Sequence, residues 1–336
     1  MSDILLNGSI LPYTFAALMG IAILAYVILD GYDLGIGMLM ADADRAERDR
    51  MIATIGPFWD ANETWLVLGI GLLLVAFPMA HGMVLSALYL PVAMMLLGLT
   101  MRGVAFEFRV KAPVPHQAWW DRTFVAGSTL AALMQGYMLG KYVMGFGGGW
   151  ESEAFAVLSA GGLASAYMFV GATWLIAKTD GALQALAVGW ARITLVLTVA
   201  GMVVVSVATP LVSARIFERW FSFPNLIMLA PIPLMTAALF IALRVFLARM
   251  PRKDHSLDLV PFLGATSLFV LGFCGLAYSF YPYVVPERLT IAEAAAAPES
   301  LLIILFGAVF VLPFIVAYTA FSYFVFRGKA TELRYY

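Results

Sequence analysis

Apolar residues run along this chain in nine long blocks, near residues 11 to 34, 58 to 78, 83 to 105, 122 to 145, 154 to 177, 193 to 212, 225 to 248, 260 to 281 and 301 to 326. Charged residues, prolines and glycines punctuate them. A block of about twenty apolar residues spans a ~30 Å hydrocarbon layer as one helix, so the pattern predicts nine transmembrane helices. No stretch alternates with the period of two that a membrane barrel strand requires. In lipid every backbone donor and acceptor must be satisfied inside its own segment. The fold class is therefore all-α, a polytopic membrane protein with residues 1–336 as a single integral membrane domain. The first span begins about ten residues in without a basic segment before it, which predicts a retained anchor and not a cleaved signal peptide.

Composition agrees. Hydrophobic residues make up 62% and charged residues 12% of the 336 positions, against roughly 45–50% and 25% in soluble proteins. The mean hydropathy is +0.91. A net charge of −1 offers no basic face for nucleic acid. The single cysteine, Cys274, sits in an apolar run without a pairing or metal-ligand spacing and reads as packing.

The few charges are distributed unevenly. Arg45, Arg48, Arg50, Arg102, Arg109, Lys111, Arg122, Lys178, Arg192, Arg244, Arg249, Arg252, Lys253, Arg327, Lys329 and Arg334 fall on one face of the predicted bundle, and only Lys141, Arg215, Arg219 and Arg288 on the other. The positive-inside rule then puts the N-terminus outside and the C-terminus in the cytoplasm. On the outer side, Trp220, Phe221 and Phe223 beside Arg215 and Arg219 read as an aromatic belt at headgroup depth. Thr290 followed by Glu293 reads as a capping box that opens a short surface helix.

Candidate chemistry lies where charge is costly. The segment DGYDLGIG, residues 30 to 37, puts Asp30 and Asp33 on one helix face at the inner end of the first span. That span is too long for one crossing, so it either continues as an amphipathic segment or breaks near Gly31, Gly35 and Gly37. Asp60 and Glu63, with Trp59 and Asn62 beside them, open the second span at a similar depth. The third span contributes MRGVAFEFR, with Arg102 to neutralise one or two acids and Glu107 nearer the interface. Charges inside a membrane usually face a bundle interior or a wet cavity. Two readings stand: a structural salt bridge that ties three helix ends together, or a proton path through Asp60, Asp30 and Glu63, supported by Asp33, Arg102, Glu107 and Trp59. In the fourth span Gly136 and Gly140 form a GxxxG pair, the mark of close helix packing.

Redox chemistry within the chain itself finds no support. Of the three histidines, His81 falls in an outer loop and His116 and His255 in inner loops, whereas haem iron needs axial ligands deep in a bundle. A phosphate-binding loop, a dinucleotide fingerprint and a nucleophilic triad are all absent from the sequence. If the chain belongs to an oxidoreductase, another subunit is expected to carry the cofactors.

The segments DGYDLGIGML, GPFWDANETWLVLGIGLLLVAFP, MRGVAFEFR and YPYVVPERLTIAEAAAAPESL, spread over the whole chain, resemble subunit II of the cytochrome bd-type quinol oxidases. The length is also compatible with the cyanide-insensitive branch. The resemblance implies two four-helix bundles and one peripheral helix in the bacterial cytoplasmic membrane. It implies a heterodimer in which a partner, subunit I, carries two b-type haems and a third of d or b type and oxidises quinol, while this subunit binds no cofactor by itself. It leaves room for small accessory subunits and for a lipid or quinone in a groove. By motif match the proton-path carboxylate falls on Asp60, with Asp30 and Arg102 supporting that region, and some relatives carry an amide where Glu63 stands. A transporter that couples protons or cations to solute movement, and a purely structural partner without a proton path, are the competing classes. Broken helices near the midplane would favour the transporter.

Overall fold

The computed structural model describes residues 10–252 and 254–330, and Lys253 and Arg334 of the basic set lie outside them. Each apolar block forms a helix. They are α1 (Leu11–Leu39), α3 (Trp59–Ala76), α4 (Pro78–Lys111), α5 (Val114–Val143), α6 (Trp150–Lys178), α7 (Gly181–Val212), α10 (Pro231–Ala248), α11 (Val260–Phe280) and α13 (Pro298–Val325). Eight of the helices among the described residues are long and apolar enough to cross a membrane. The remaining block, α5, is 30 residues long but is diluted by Gln117, Asp121, Arg122, Gln135 and Lys141.

Short elements that apolar periodicity does not reveal cap the bundle. At the end where the basic residues gather, α2 (Arg45–Ile55) follows a capping box made by Asp44 and Glu47. At the opposite end lie α8 (Ala214–Phe221), α9 (Asn225–Leu229), an antiparallel hairpin of β1 (Tyr283–Val285) with β2 (Leu289–Thr290), and α12 (Ile291–Ala294). The expected Thr290–Glu293 capping box opens α12. Trp220 donates its indole N–H to Ser279 Oγ at 2.9 Å, while Phe221 and Phe223 stay exposed.

Three expectations change. His81 lies in the first turns of α4 and not in a loop, because that helix starts at Pro78, whose fixed φ suits a first helical position; His116 likewise lies in the first turn of α5, which starts at Val114. Cys274 is exposed on α11, so it faces outward and not into the chain's core. Of the two courses open to the glycine-rich end of α1, continuation holds: the helix runs on to Leu39 and closes in a 3-10 turn, Met40–Asp42.

The glycines of that stretch act through their missing side chains. A Cβ at Gly35 would lie 1.8 Å from the Tyr167 carbonyl oxygen, and one at Gly171 would lie 2.7 Å from the Ile36 nitrogen. Helices α1 and α6 therefore cross with backbone against backbone, the small-residue packing that substitutes for a hydrophobic driving force in lipid. Gly136 and Gly140 do the same for α5, where a Cβ would come within 2.6 Å of the Ala160 and Ala156 Cα atoms on α6. Gly35→Ala cannot be relieved by a rotamer, because the obstructing atom is backbone. We expect it to cost at least the ~1–3 kcal/mol of an overpacked core, read as a lowered midpoint of thermal unfolding in detergent, while Gly71→Ala, where nothing lies within 4 Å, leaves the midpoint unchanged.

Helix α1 packs on α3 and α5, and α4 on α5, which makes one group of four; α6, α7, α10 and α11 make the other, and α13 lies at the periphery against α1. The two groups join through α5–α6 and α1–α6. Lipid-style exposure is heaviest on α13, where Ile303, Phe306, Phe310, Phe314 and Phe321 are all bare.

Candidate functional site

Where α1, α3 and α4 meet, the chain buries an ion cluster. Asp30 is the first acid of the α1 motif and is completely buried. Arg102, one turn and a half before the end of the apolar part of α4, is 1% exposed and donates from Nη1 to Asp30 Oδ1 at 2.5 Å and from Nη2 to Glu63 Oε2 at 2.8 Å. The planar guanidinium serves two acids at once, a geometry a lysine cannot supply. Asp33, also fully buried, accepts from Asn62 Nδ2 at 2.8 Å. The same Asn62 nitrogen lies 2.8 Å from the Tyr32 hydroxyl and 3.3 Å from the Leu29 carbonyl oxygen, and Asn62 Oδ1 accepts from Tyr323 Oη at 3.1 Å. Tyr32 and Tyr323 share a hydrogen bond of 2.7 Å, so the peripheral helix α13 is tied to the core through one polar hub.

Buried polar groups are normally satisfied, yet Asp30 Oδ2, Asp33 Oδ1 and Arg102 Nε have no protein partner. The two carboxylate oxygens can accept a further hydrogen bond or a proton, whereas Arg102 Nε–H can only donate. Farther along α1, Tyr26 stands one helical turn from Asp30, and Gln135 joins it to α6 by donating to Tyr26 Oη at 2.8 Å and accepting from Tyr167 Oη at 2.6 Å.

The expected residues are thus divided. Asp30, Asp33, Glu63 and Arg102 converge. Asp60 is exposed at the start of α3, on the same face as Glu63 three residues later. Trp59 packs on Phe106 with ring centroids 4.9 Å apart and forms part of the wall. Glu107 does not join the expected ion network: it is exposed and makes no salt bridge among the described residues. Three positions on from the buried Phe106, and so on its face of α4, Arg109 takes the interfacial role instead, bound to Asp121 at 2.5 Å and Asp49 at 2.6 Å. Asn62, Tyr32 and Tyr323 are the members that sequence reasoning missed as a hub. Asn62 stood out as a neighbour of Asp60, but nothing local points to Tyr323, 261 residues away.

A second polar cluster fastens the chain's last described residues. Asp258 Oδ2 accepts from Lys329 Nζ at 2.5 Å and Gln184 Nε2 at 2.7 Å and lies 2.8 Å from His255 Nδ1. Lys178 donates to the Phe326 carbonyl at 2.6 Å and sits over the Trp174 ring. In the adjoining loop, a hydrogen bond from Arg50 holds the Asp180 carboxyl below its usual range. These contacts bring the basic-rich helix ends together on one side of the bundle.

Of the three histidines, His116 and His255 are exposed, and His81 is half-buried at the far end of α4. Among the described residues no group of three His, Cys, Asp or Glu side chains has metal-binding geometry.

The chain is 29% identical to the cytochrome bd ubiquinol oxidase subunit 2 of Bacillus subtilis (strain 168), covering 94% of this chain and 95% of the relative. It is 26% identical to the cytochrome bd-I ubiquinol oxidase subunit 2 of Escherichia coli (strain K12), with 98% and 97% covered. A chain in the structure of bd oxidase from Geobacillus thermodenitrificans superposes with a TM-score of 0.70 at 16% identity, over 94% of this chain and 98% of that one, which shows a shared fold. The model of the cytochrome bd terminal oxidase subunit II family matches residues 11–326, nearly the whole of the described bundle, and this chain is therefore a multi-pass membrane member of that family.

Proposed function

We propose that this chain is the haem-free second subunit of a bacterial quinol oxidase that converts two quinols and O₂ into two quinones and two waters. It scaffolds a haem-bearing subunit I and delivers cytoplasmic protons toward that subunit's oxygen-reducing haem. The whole chain acts as one membrane domain, with its N-terminus outside and its basic-rich face in the cytoplasm, as the positive-inside rule requires. The supporting observation is a carboxylate ladder of falling exposure. Asp60 is exposed, the Glu63 side chain is 29% exposed, and Asp30 is fully buried, with Arg102 bridging the last two. Acids placed in this order give a proton successive acceptors from water into the bundle, and intramembrane ionisable groups of this kind commonly mark proton routes. Arg102 keeps its charge under all ordinary conditions, so it organises the ladder and does not carry the proton. A solute transporter is less favoured, because α1 runs unbroken through its glycines where a transporter site would interrupt its helices.

Gentle solubilisation of the membrane tests the assignment. The chain is expected to purify with a larger haem-bearing subunit that consumes oxygen with quinol. A colourless chain that moves solute by itself would overturn it.

A further inference from the structure

The turn that joins α4 to α5 carries an open cavity of about 410 Å³ with no role in the carboxylate ladder. Phe108 and Lys111 from the last turns of α4, Ala112 and Pro113 from the turn, and His116, Trp119 and Trp120 from the start of α5 line it. Helix α4 has 34 residues, about 51 Å at 1.5 Å per residue, against a hydrocarbon layer of ~30 Å. Its last turns therefore stand in the headgroup region even when the helix is tilted. We propose that this cavity binds the headgroup and glycerol region of an anionic phospholipid, with the acyl chains lying along the outer faces of α4 and α5.

Two properties of the cavity match such a molecule. The walls are apolar and aromatic: Phe108 and Trp120 pack at 5.4 Å between centroids, and Trp119 remains 67% exposed. Tryptophans concentrate at headgroup depth because the ring is apolar and its N–H polar. The rim is basic. Lys111 closes one side, and the Arg122 guanidinium lies 5.7 Å from the Trp119 ring centroid. Neither has a carboxylate partner within salt-bridge distance among the described residues. The neighbouring Arg48 and Arg109 are balanced by Asp121 and Asp49, and Arg45 reaches over to Gln117 at 2.9 Å. The exposed acid nearby that makes no salt bridge among the described residues is Glu107. Lys111 and Arg122, with His116 between them in sequence, thus leave this rim net positive, and basic pockets between membrane helices are a recurrent way to hold anionic headgroups. A zwitterionic lipid would fill the same walls but gain nothing from the rim.

Native mass spectrometry of the intact oxidase complex, released from nanodiscs of equimolar phosphatidylglycerol and phosphatidylcholine, reads the site directly and independently of turnover. The unmodified complex is expected to retain phosphatidylglycerol over phosphatidylcholine. Lys111→Gln with Arg122→Gln should lose one phosphatidylglycerol per complex, Trp119→Ala should lose it as well, and Lys111→Arg should keep it. Equal retention of the two lipids, or an unchanged phosphatidylglycerol count in the double variant, overturns the proposal. So does dissociation of the haem-bearing subunit on Trp119→Ala, which would identify the surface as a protein contact.

Discussion

Arg102→Gln is expected to prevent the chain from accumulating in the membrane. The substitution leaves Asp30, completely buried, and Glu63, partly buried, without the cation that pairs with both of them among the described residues. Removing one partner of a buried ion pair typically costs ~3–5 kcal/mol, because the remaining charge stays desolvated. That is a large fraction of the ~5–15 kcal/mol by which a typical domain is stable. Arg102→Lys should be intermediate, since an ammonium on a flexible stem cannot hold both carboxylates in the fork geometry. The double variant Arg102→Gln with Asp30→Asn should recover part of the loss, as coupled neighbours do. Immunoblots of membranes and thermal unfolding of the purified complex measure all three. Normal levels of the single variant would show that the acids find other compensation and that the pair is not what holds α1 to α4.

Asp60→Asn is expected to slow oxygen consumption about a hundredfold, within the range typical of a lost proton-transfer group, while the haem spectrum and the amount of complex stay unchanged. Structure should survive because Asp60 is exposed and makes no salt bridge among the described residues. Asparagine keeps the size and polarity and removes only the ability to take up and release a proton. Asp60→Glu should restore most of the rate. On the proposed route Asp60 is the acid nearest water, so the variant's rate should fall further at high pH, where protons are scarce, than at low pH. A rate equal to the unmodified enzyme across that range would leave the chain as a scaffold only.

How much of this was legible in the sequence follows from the kind of physics involved. Hydrophobicity is additive along the chain, so the nine helical blocks could be read directly, while their ends shifted where polar residues dilute a helix, as at the start of α7, or where prolines divide an apolar run, as between α9 and α10. Capping is equally local: the Thr290–Glu293 box needs only residues three apart. Asp30, Glu63 and Arg102 were legible as partners because each is a charge inside an apolar block, and a charge there must find compensation.

Burial at a single position is not additive, and tertiary packing alone decided it. Asp33 and Asp60 look alike in sequence, each an acid at the inner end of a span. The structure sinks Asp33 beneath Asn62 and leaves Asp60 at the surface. Glu107 and Arg109, two residues apart, lie on different faces of α4, and only the placement of α2 and α5 selects Arg109 for the interior. Tyr323 reaches Tyr32 across 291 positions, a contact that depends on where α13 docks and on nothing near either residue. The sequence by itself thus determined a nine-block helical membrane protein with acids and one arginine at a common depth. Which of those acids are sheltered was settled by helix rotation and close glycine contacts, since exposure depends on what lies opposite a side chain, and the chain's order does not specify its neighbours in space.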